Sequence, residues 1–161
     1  MSVRLRPLRE DEYADFVERG RREYAEDLYE NGSLTREAAT AKAARDYAQL
    51  LPEGPATPGQ TIYAIEELET GERVGRLWFT EREMDGQRIA FLYDIAIDEP
   101  HRGRGLGRAA MLAFEQVAMA DGHEVLQLNV FGGNARARGL YRSLGFVETA
   151  VHMQKQLATD R

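Results

Sequence analysis

The stretch "EPHRGRGLGRAAM", residues 99 to 111, sets Gly103, Gly105 and Gly107 at alternate positions among Arg102, Arg104 and Arg108, just ahead of an alanine-rich helical pattern. Such a turn points backbone N–H groups into one concavity. The start of the helix adds the positive end of its dipole, so an anion is held largely by main chain. Three phosphate-binding patterns compete for the stretch. A P-loop, GxxxxGK[ST], is excluded because the chain has no Gly-Lys pair. A dinucleotide fingerprint is matched loosely by Gly105, Gly107 and Ala110, but the next strand ends "NVF" without the carboxylate that would bind a ribose hydroxyl. The third pattern is Arg102, Gly105 and Gly107 leading into a helix, a pyrophosphate turn in which a Cβ would fill the phosphate's place. Glycines also serve helix entry in proteins that bind nothing there, so the turn alone leaves both readings open.

A second constellation follows. "NARARGLYRSLGF" places Asn134, Ala137, Tyr141, Gly145 and Phe146 in the pattern NxxAxxxYxxxGF. Together the two motifs resemble the GCN5-related N-acetyltransferase (GNAT) family, in which the Q/RxxGxG turn holds the pyrophosphate of acetyl-CoA. The specific motifs span residues 93 to 146. The resemblance implies acetyl-CoA as cosubstrate, with its pantetheine arm paired along the backbone of Ile95, Ala96 and Ile97. Its phosphates would lie on the turn formed by Arg102, Gly103, Arg104, Gly105, Leu106, Gly107 and Arg108. Asn134 is implied as a cofactor contact, a role compatible with capping its helix.

Acetyl transfer from a thioester to an amine needs a neutral amine, stabilisation of the oxyanion and a proton for the departing thiolate. The resemblance gives the last task to Tyr141, although helical spacing alone would make it an apolar-face residue. The base is where the pattern departs. Members resembling the ribosomal-protein alanine acetyltransferases carry a glutamate five residues before the motif asparagine, and here that residue is Asn129, which cannot accept a proton. Asp94, in "LYDIAI", is the remaining candidate base, acting through water; otherwise it is a hydrogen-bonded carboxylate at a strand bulge. With no cysteine to carry an acetyl group, transfer is expected to be direct, in a ternary complex with a small-molecule or peptide amine. The rival reading is a non-catalytic acyl-CoA-binding or sensing domain, and a nucleotide-binding module is a more distant one. Tyr24, Tyr29, Tyr47, Trp78 and Tyr93 are candidate walls of the acceptor pocket, though aromatics at such spacing are usually core.

These residues need elements to position them. "VRLRPL" reads as a first strand. Tyr13, Phe16, Val17, Tyr24 and Leu28 recur at helical spacing, with Gly20 a possible division, and Thr35 opens a second helix ending before Pro52. From Thr61 the period falls to two, giving "TIYAIEEL", "RVGRLWFTER" and "RIAFLYDIAID" with hairpin signals at Gly71 and Asp85-Gly86. A helix over Leu106–Ala120, a strand "VLQLNVF", a helix over Asn134–Leu144 and a last strand "HMQKQL" complete the order. The fold class is mixed α/β: an antiparallel meander followed by a βαβ unit, which the family resemblance makes GNAT-like.

With 161 residues the chain has the length of one domain, expected to span 1–161. No apolar run approaches the roughly 18 residues that cross a bilayer, and "MSVRLRPLRE" lacks the apolar core of a signal peptide. Zero cysteines rule out disulfides and thiol ligands and suit a cytoplasmic address. A net charge of -6 argues against nucleic-acid binding and is within what solubility alone selects. His101, His123 and His152 lack ligand spacing, so no metal is expected. Exposed strands in such sheets often pair between subunits, which makes a homodimer a family-based expectation.

Overall fold

Period-two alternation produces the sheet. In the computed structural model, which describes residues 2–158, β1 (Val3–Pro7), β2 (Gln60–Glu67), β3 (Arg73–Met84) and β4 (Gln87–Ile97) form an antiparallel meander. The β3–β4 hairpin turns on Asp85 and Gly86, both at positive φ (52° and 81°), the conformation that favours an Asp-Gly pair. Helix α3 (Leu106–Ala120) then crosses over, and β5 (Val125–Leu128) joins β4 in parallel, giving the order β1-β2-β3-β4-β5.

Two apolar layers cover the sheet. On one side Leu77, Phe79 and Leu92 meet Leu106, Ala110, Met111, Phe114 and Ala118, which recur on one face of α3. Phe79 and Phe114 lie 5.0 Å apart between ring centres. On the other side Phe16, Tyr47, Leu51, Ile62 and Trp78 pack α1 (Tyr13–Asn31) and α2 (Arg36–Leu50) onto the sheet. The hydroxyl of Thr35 accepts from the Ala38 amide at 3.1 Å and starts α2. Gly20 does not divide α1. It lies under Tyr47, where an added Cβ would stand 2.4 Å from the phenolic oxygen, so the glycine serves close helix packing.

The order of elements follows the sequence reading up to β5 and then departs. The fifth strand stops at Leu128 instead of running to Phe131, because its partner β4 bends away after Leu92. Helix α4 (Ala135–Ser143) forms as expected. The last strand does not: residues 146–158 carry no strand pairing, and from Val147 onward every described residue is exposed. No helix among the described residues is long and apolar enough to cross a membrane.

Candidate functional site

The site begins with one extra residue. Trp78 pairs with Asp94 and Phe79 with Leu92, so Tyr93 is left without a partner on β3 and β4 bulges there. A bulge bends its strand and ends regular pairing. Accordingly β4 pairs with β5 only over Ile89–Leu92. Beyond the bulge, Asp94, Ile95, Ala96 and Ile97 keep their β3 partners, Trp78, Leu77, Arg76 and Gly75, but among the described residues no strand pairs with their other edge. Burial changes at the same point, from buried at Leu92 to half-buried over Tyr93–Ile97. Apart from the Ile97 carbonyl, which accepts from Arg102 Nε, the outward main-chain groups of this edge have room for an extended ligand that would pair as a strand does.

The free edge leads to the glycine turn. Gly103 and Gly105 have φ of 78° and 77°, in the left-handed region, and a Cβ on either would meet nothing within 4 Å. Their need for glycine is therefore conformational within the chain itself. Gly107 differs. It lies within α3 at ordinary φ, and a Cβ there would touch the Ile97 side chain at 3.8 Å and Leu140 at 4.0 Å. This position is where the end of β4, the start of α3 and the face of α4 meet. Among the described residues no side chain caps α3, so the amides of its first turn have no capping partner, an arrangement that fits a phosphate.

The arginines around the turn have partners within the chain. Arg102 donates through Nε to the Ile97 carbonyl at 2.7 Å, and Arg108 donates to Ser143 Oγ at 2.8 Å, tying α3 to α4. Arg104 binds the buried Glu67 carboxylate at 2.6 Å. Glu67, Glu72 and His101 hold ligand-type atoms within 4.8 Å of one another, but Glu67 already has Arg104 as its counter-ion. The arginines thus fix the shape of the turn, which leaves its main-chain amides as the groups suited to an anion.

Asp94 lies on the α1 side of the sheet, where one of its oxygens accepts from Arg76 Nε at 2.6 Å. The same guanidinium, 8% exposed, donates to Glu23 of α1 at 2.5 Å. Sequence reasoning missed Arg76 and Glu23. The available signal was an arginine on the same face of "RVGRLWF" as Trp78, a position that should be apolar unless an acid meets it. Asp27, one turn beyond Glu23, is exposed as a whole, yet its carboxyl is pushed above the usual carboxylate range, first by lost solvation and then by Glu30, Glu23, Asp94 and Glu26. At the end of α1, a Cβ on Gly133 would stand 2.6 Å from Asn31 Oδ1, so the helix touches the loop after β5. The acidic half of α1 therefore runs beside the gap between β4 and β5.

Tyr141, on α4, packs against the core layer that holds Leu77, Leu92 and Leu106. Its ring packs 5.6 Å from Phe146, and its phenol is pushed up from its ordinary value by burial and, secondarily, by the charge of Asp94. It stays protonated at neutral pH, as a proton donor must. Asn134 caps α4, its side-chain oxygen accepting from the Ala137 amide at 3.1 Å, which leaves its NH2 available. Of the aromatic candidates, Tyr47 and Trp78 are core. Tyr24 donates to Asp46 at 2.8 Å, Tyr29 is covered by the Arg36 guanidinium, and Tyr93 alone sits at the bulge beside the free edge.

Comparison with known proteins agrees with this geometry. The model of the acetyltransferase (GNAT) family matches residues 8–146. YycN of Bacillus subtilis, an uncharacterised N-acetyltransferase, is 34% identical over 157 residues, covering 98% of this chain and 100% of the relative. A second Bacillus subtilis protein of the same description, YdgE, is 30% identical over 98% of this chain and 99% of its own. The crystal structure of YycN superposes with a TM-score of 0.93 at 33% identity, covering 98% of this chain and 100% of that one.

Proposed function

Because the chain belongs to the GNAT family of acetyltransferases, we propose that it transfers an acetyl group from acetyl-CoA to a primary amine by direct attack, with Tyr141 as the general acid. The observation that carries the reading is the meeting, around Gly107, of the free edge of β4, the uncapped start of α3 and the helix that bears Tyr141. The amide edge at Ile95–Ile97 would align the pantetheine arm, and the turn at Gly103–Arg108 would take the pyrophosphate. The thioester carbonyl would then lie near the bulge, between the Asp94 side of β4 and α4.

In the reaction the amine nitrogen bonds to the carbonyl carbon and the carbon–sulfur bond breaks. Tyr141 gives its phenolic proton to the departing sulfur, and the amine's surplus proton leaves through water. Asp94 is suited to receive that water's proton or to orient it, since Arg76 holds the carboxylate in place from below. Asn129, where related enzymes carry glutamate, supports a water-mediated route. The acceptor enters past Glu23, Asp27 and Asp94, carboxylates of which Glu23 and Asp94 share the single guanidinium of Arg76 and Asp27 feels both, which favours an amine carrying further positive charge. A cysteine-free chain suits a cytoplasmic setting for this chemistry.

A thiol-release assay over polyamines, aminoglycosides, amino acids and peptide N-termini tests the reading. We expect turnover with amines bearing a second positive charge. Binding of acetyl-CoA without thiol release for any amine would instead make this a non-catalytic acyl-CoA-binding domain.

A further inference from the structure

The tip of the glycine turn has little to hold it. Gly103 and Gly105 both take left-handed φ, and a Cβ on either would meet nothing within 4 Å, so the backbone around Arg104 stands clear of the body. Glycine also widens the range of conformations open to such a segment. Downstream the chain is fixed by Leu106, buried in the core, and upstream by Arg102, whose Nε donates to the Ile97 carbonyl. Among the described residues, one side chain ties the tip itself to the sheet: Arg104, through Glu67.

Glu67 is a rigid post for that tie. It ends β2, pairs with Val3 of β1, donates its amide to the Glu72 carbonyl at 2.9 Å and accepts from the Gly71 amide at 2.8 Å. Its side chain is 4% exposed, and its two oxygens accept from the two terminal nitrogens of Arg104 at 2.6 and 3.4 Å. Arg104 cannot leave for a phosphate without stranding a buried carboxylate, which costs far more than an exposed ion pair returns. Glu72 and His101 bring ligand-type atoms within 4.8 Å of the Glu67 carboxylate, but neither is bonded to Arg104.

We propose that Glu67 is a positioning residue for the cofactor: it holds Arg104, and with it residues 103–105, in the shape that presents the amides of the turn to the pyrophosphate. Resting on the acetyl-CoA reading above, this gives Arg104 an anchoring role in place of a phosphate contact. It also puts a determinant of cofactor affinity on β2, outside both sequence motifs. A tip ordered before the ligand arrives removes a conformational cost from binding. Glu67 touches no reacting atom, so its effect falls on acetyl-CoA affinity and leaves the chemical step alone.

Titration calorimetry with acetyl-CoA over a salt series, and single-turnover rates at saturating acetyl-CoA, test this on the full chain. We expect Glu67→Gln to weaken acetyl-CoA binding about tenfold, the loss of one charge-assisted bond, with the single-turnover rate unchanged. Glu72→Gln makes the same change of charge beside it and should bind as the wild type does. Arg104→Met alone would strand Glu67, so Arg104 is removed in the double variant Glu67→Gln with Arg104→Met, which leaves no buried charge unpaired. That variant should bind about as weakly as Glu67→Gln, with the salt dependence of the wild type. Three results would overturn the proposal: a Glu67→Gln protein that binds as tightly as the wild type or tighter, an equal loss in Glu72→Gln, or a shallower salt dependence in the double variant, which would make Arg104 a phosphate ligand. A wild type that binds no acetyl-CoA would instead overturn the cofactor reading itself, and this proposal with it.

Discussion

The two flanks of β4 differ along its length. Toward β3 it is paired from Gln87 to Ile97, interrupted only by the bulge, and much of that ladder is buried between helices. Toward β5 it is paired over four residues and then open. The same strand is thus scaffold on one edge and, in the proposed function, binding surface on the other. The bulge at Tyr93 permits both, because it releases the β5 side without breaking the β3 side. Binding surface comes from leaving main-chain groups unpaired at one chosen place, while the neighbouring pairing keeps them rigid.

This contrast can be broken from either flank. Removing the Tyr141 hydroxyl should hurt chemistry alone: Tyr141→Phe is expected to lower kcat roughly a hundred- to ten-thousand-fold, with acetyl-CoA affinity and melting temperature nearly unchanged. Equal losses of kcat and stability would mean that the residue is merely core. Because burial and Asp94 raise the phenol, the proton donor persists to pH 10, and turnover that depends on it is lost only as pH rises beyond its ordinary value. On the scaffold side, Phe114→Ala should cost about 3–5 kcal/mol of stability, since the ring is fully buried against Phe79. The single-turnover rate measured on the surviving folded enzyme should be unchanged; a collapsed rate would show that the core and the site are not separable.

Smaller effects distinguish the glycines. Gly105→Ala forces a left-handed backbone on alanine, which costs roughly 1–2 kcal/mol, and should weaken acetyl-CoA binding at the same time. Gly107→Ala gains helix propensity of about 1 kcal/mol and meets only ordinary contacts, so any loss of acetyl-CoA affinity there reports a ligand against that face. Smallest in reach is a pH effect confined to the scaffold. Glu12, buried against Arg6, has its carboxyl lowered to about 2, chiefly by the hydrogen bond from that guanidinium. Its contribution is therefore complete above the ordinary value of 4.5 and is lost as pH falls toward 2. Acid unfolding of Glu12→Gln should lack that part of the pH dependence, while its acetyl-CoA affinity at neutral pH should match the wild type.

Much of this was legible in the residues. The meander, the limits of α3 and the caps Thr35 and Asn134 follow from alternation, helical spacing and side-chain chemistry that act over a few positions. The glycine turn and Tyr141 stood out through their spacing. Arg76 and Glu23 did not, because their pairing joins α1 to β3 across 53 residues and only the folded sheet brings them together. The early end of β5 depends on where its neighbour bulges, which no local pattern in "VLQLNVF" encodes. The last strand was read from alternation that is real, but alternation alone supplies no partner, and residues 147–158 lie exposed without one among the described residues.

Hydrogen exchange with and without acetyl-CoA tests the central claim most directly, because that claim concerns main-chain amides. The account predicts new protection confined to residues 95–97 and 103–108, with β2 and β3 unchanged. Protection absent from those two segments, or centred on the outer faces of α1 and α2, would contradict it.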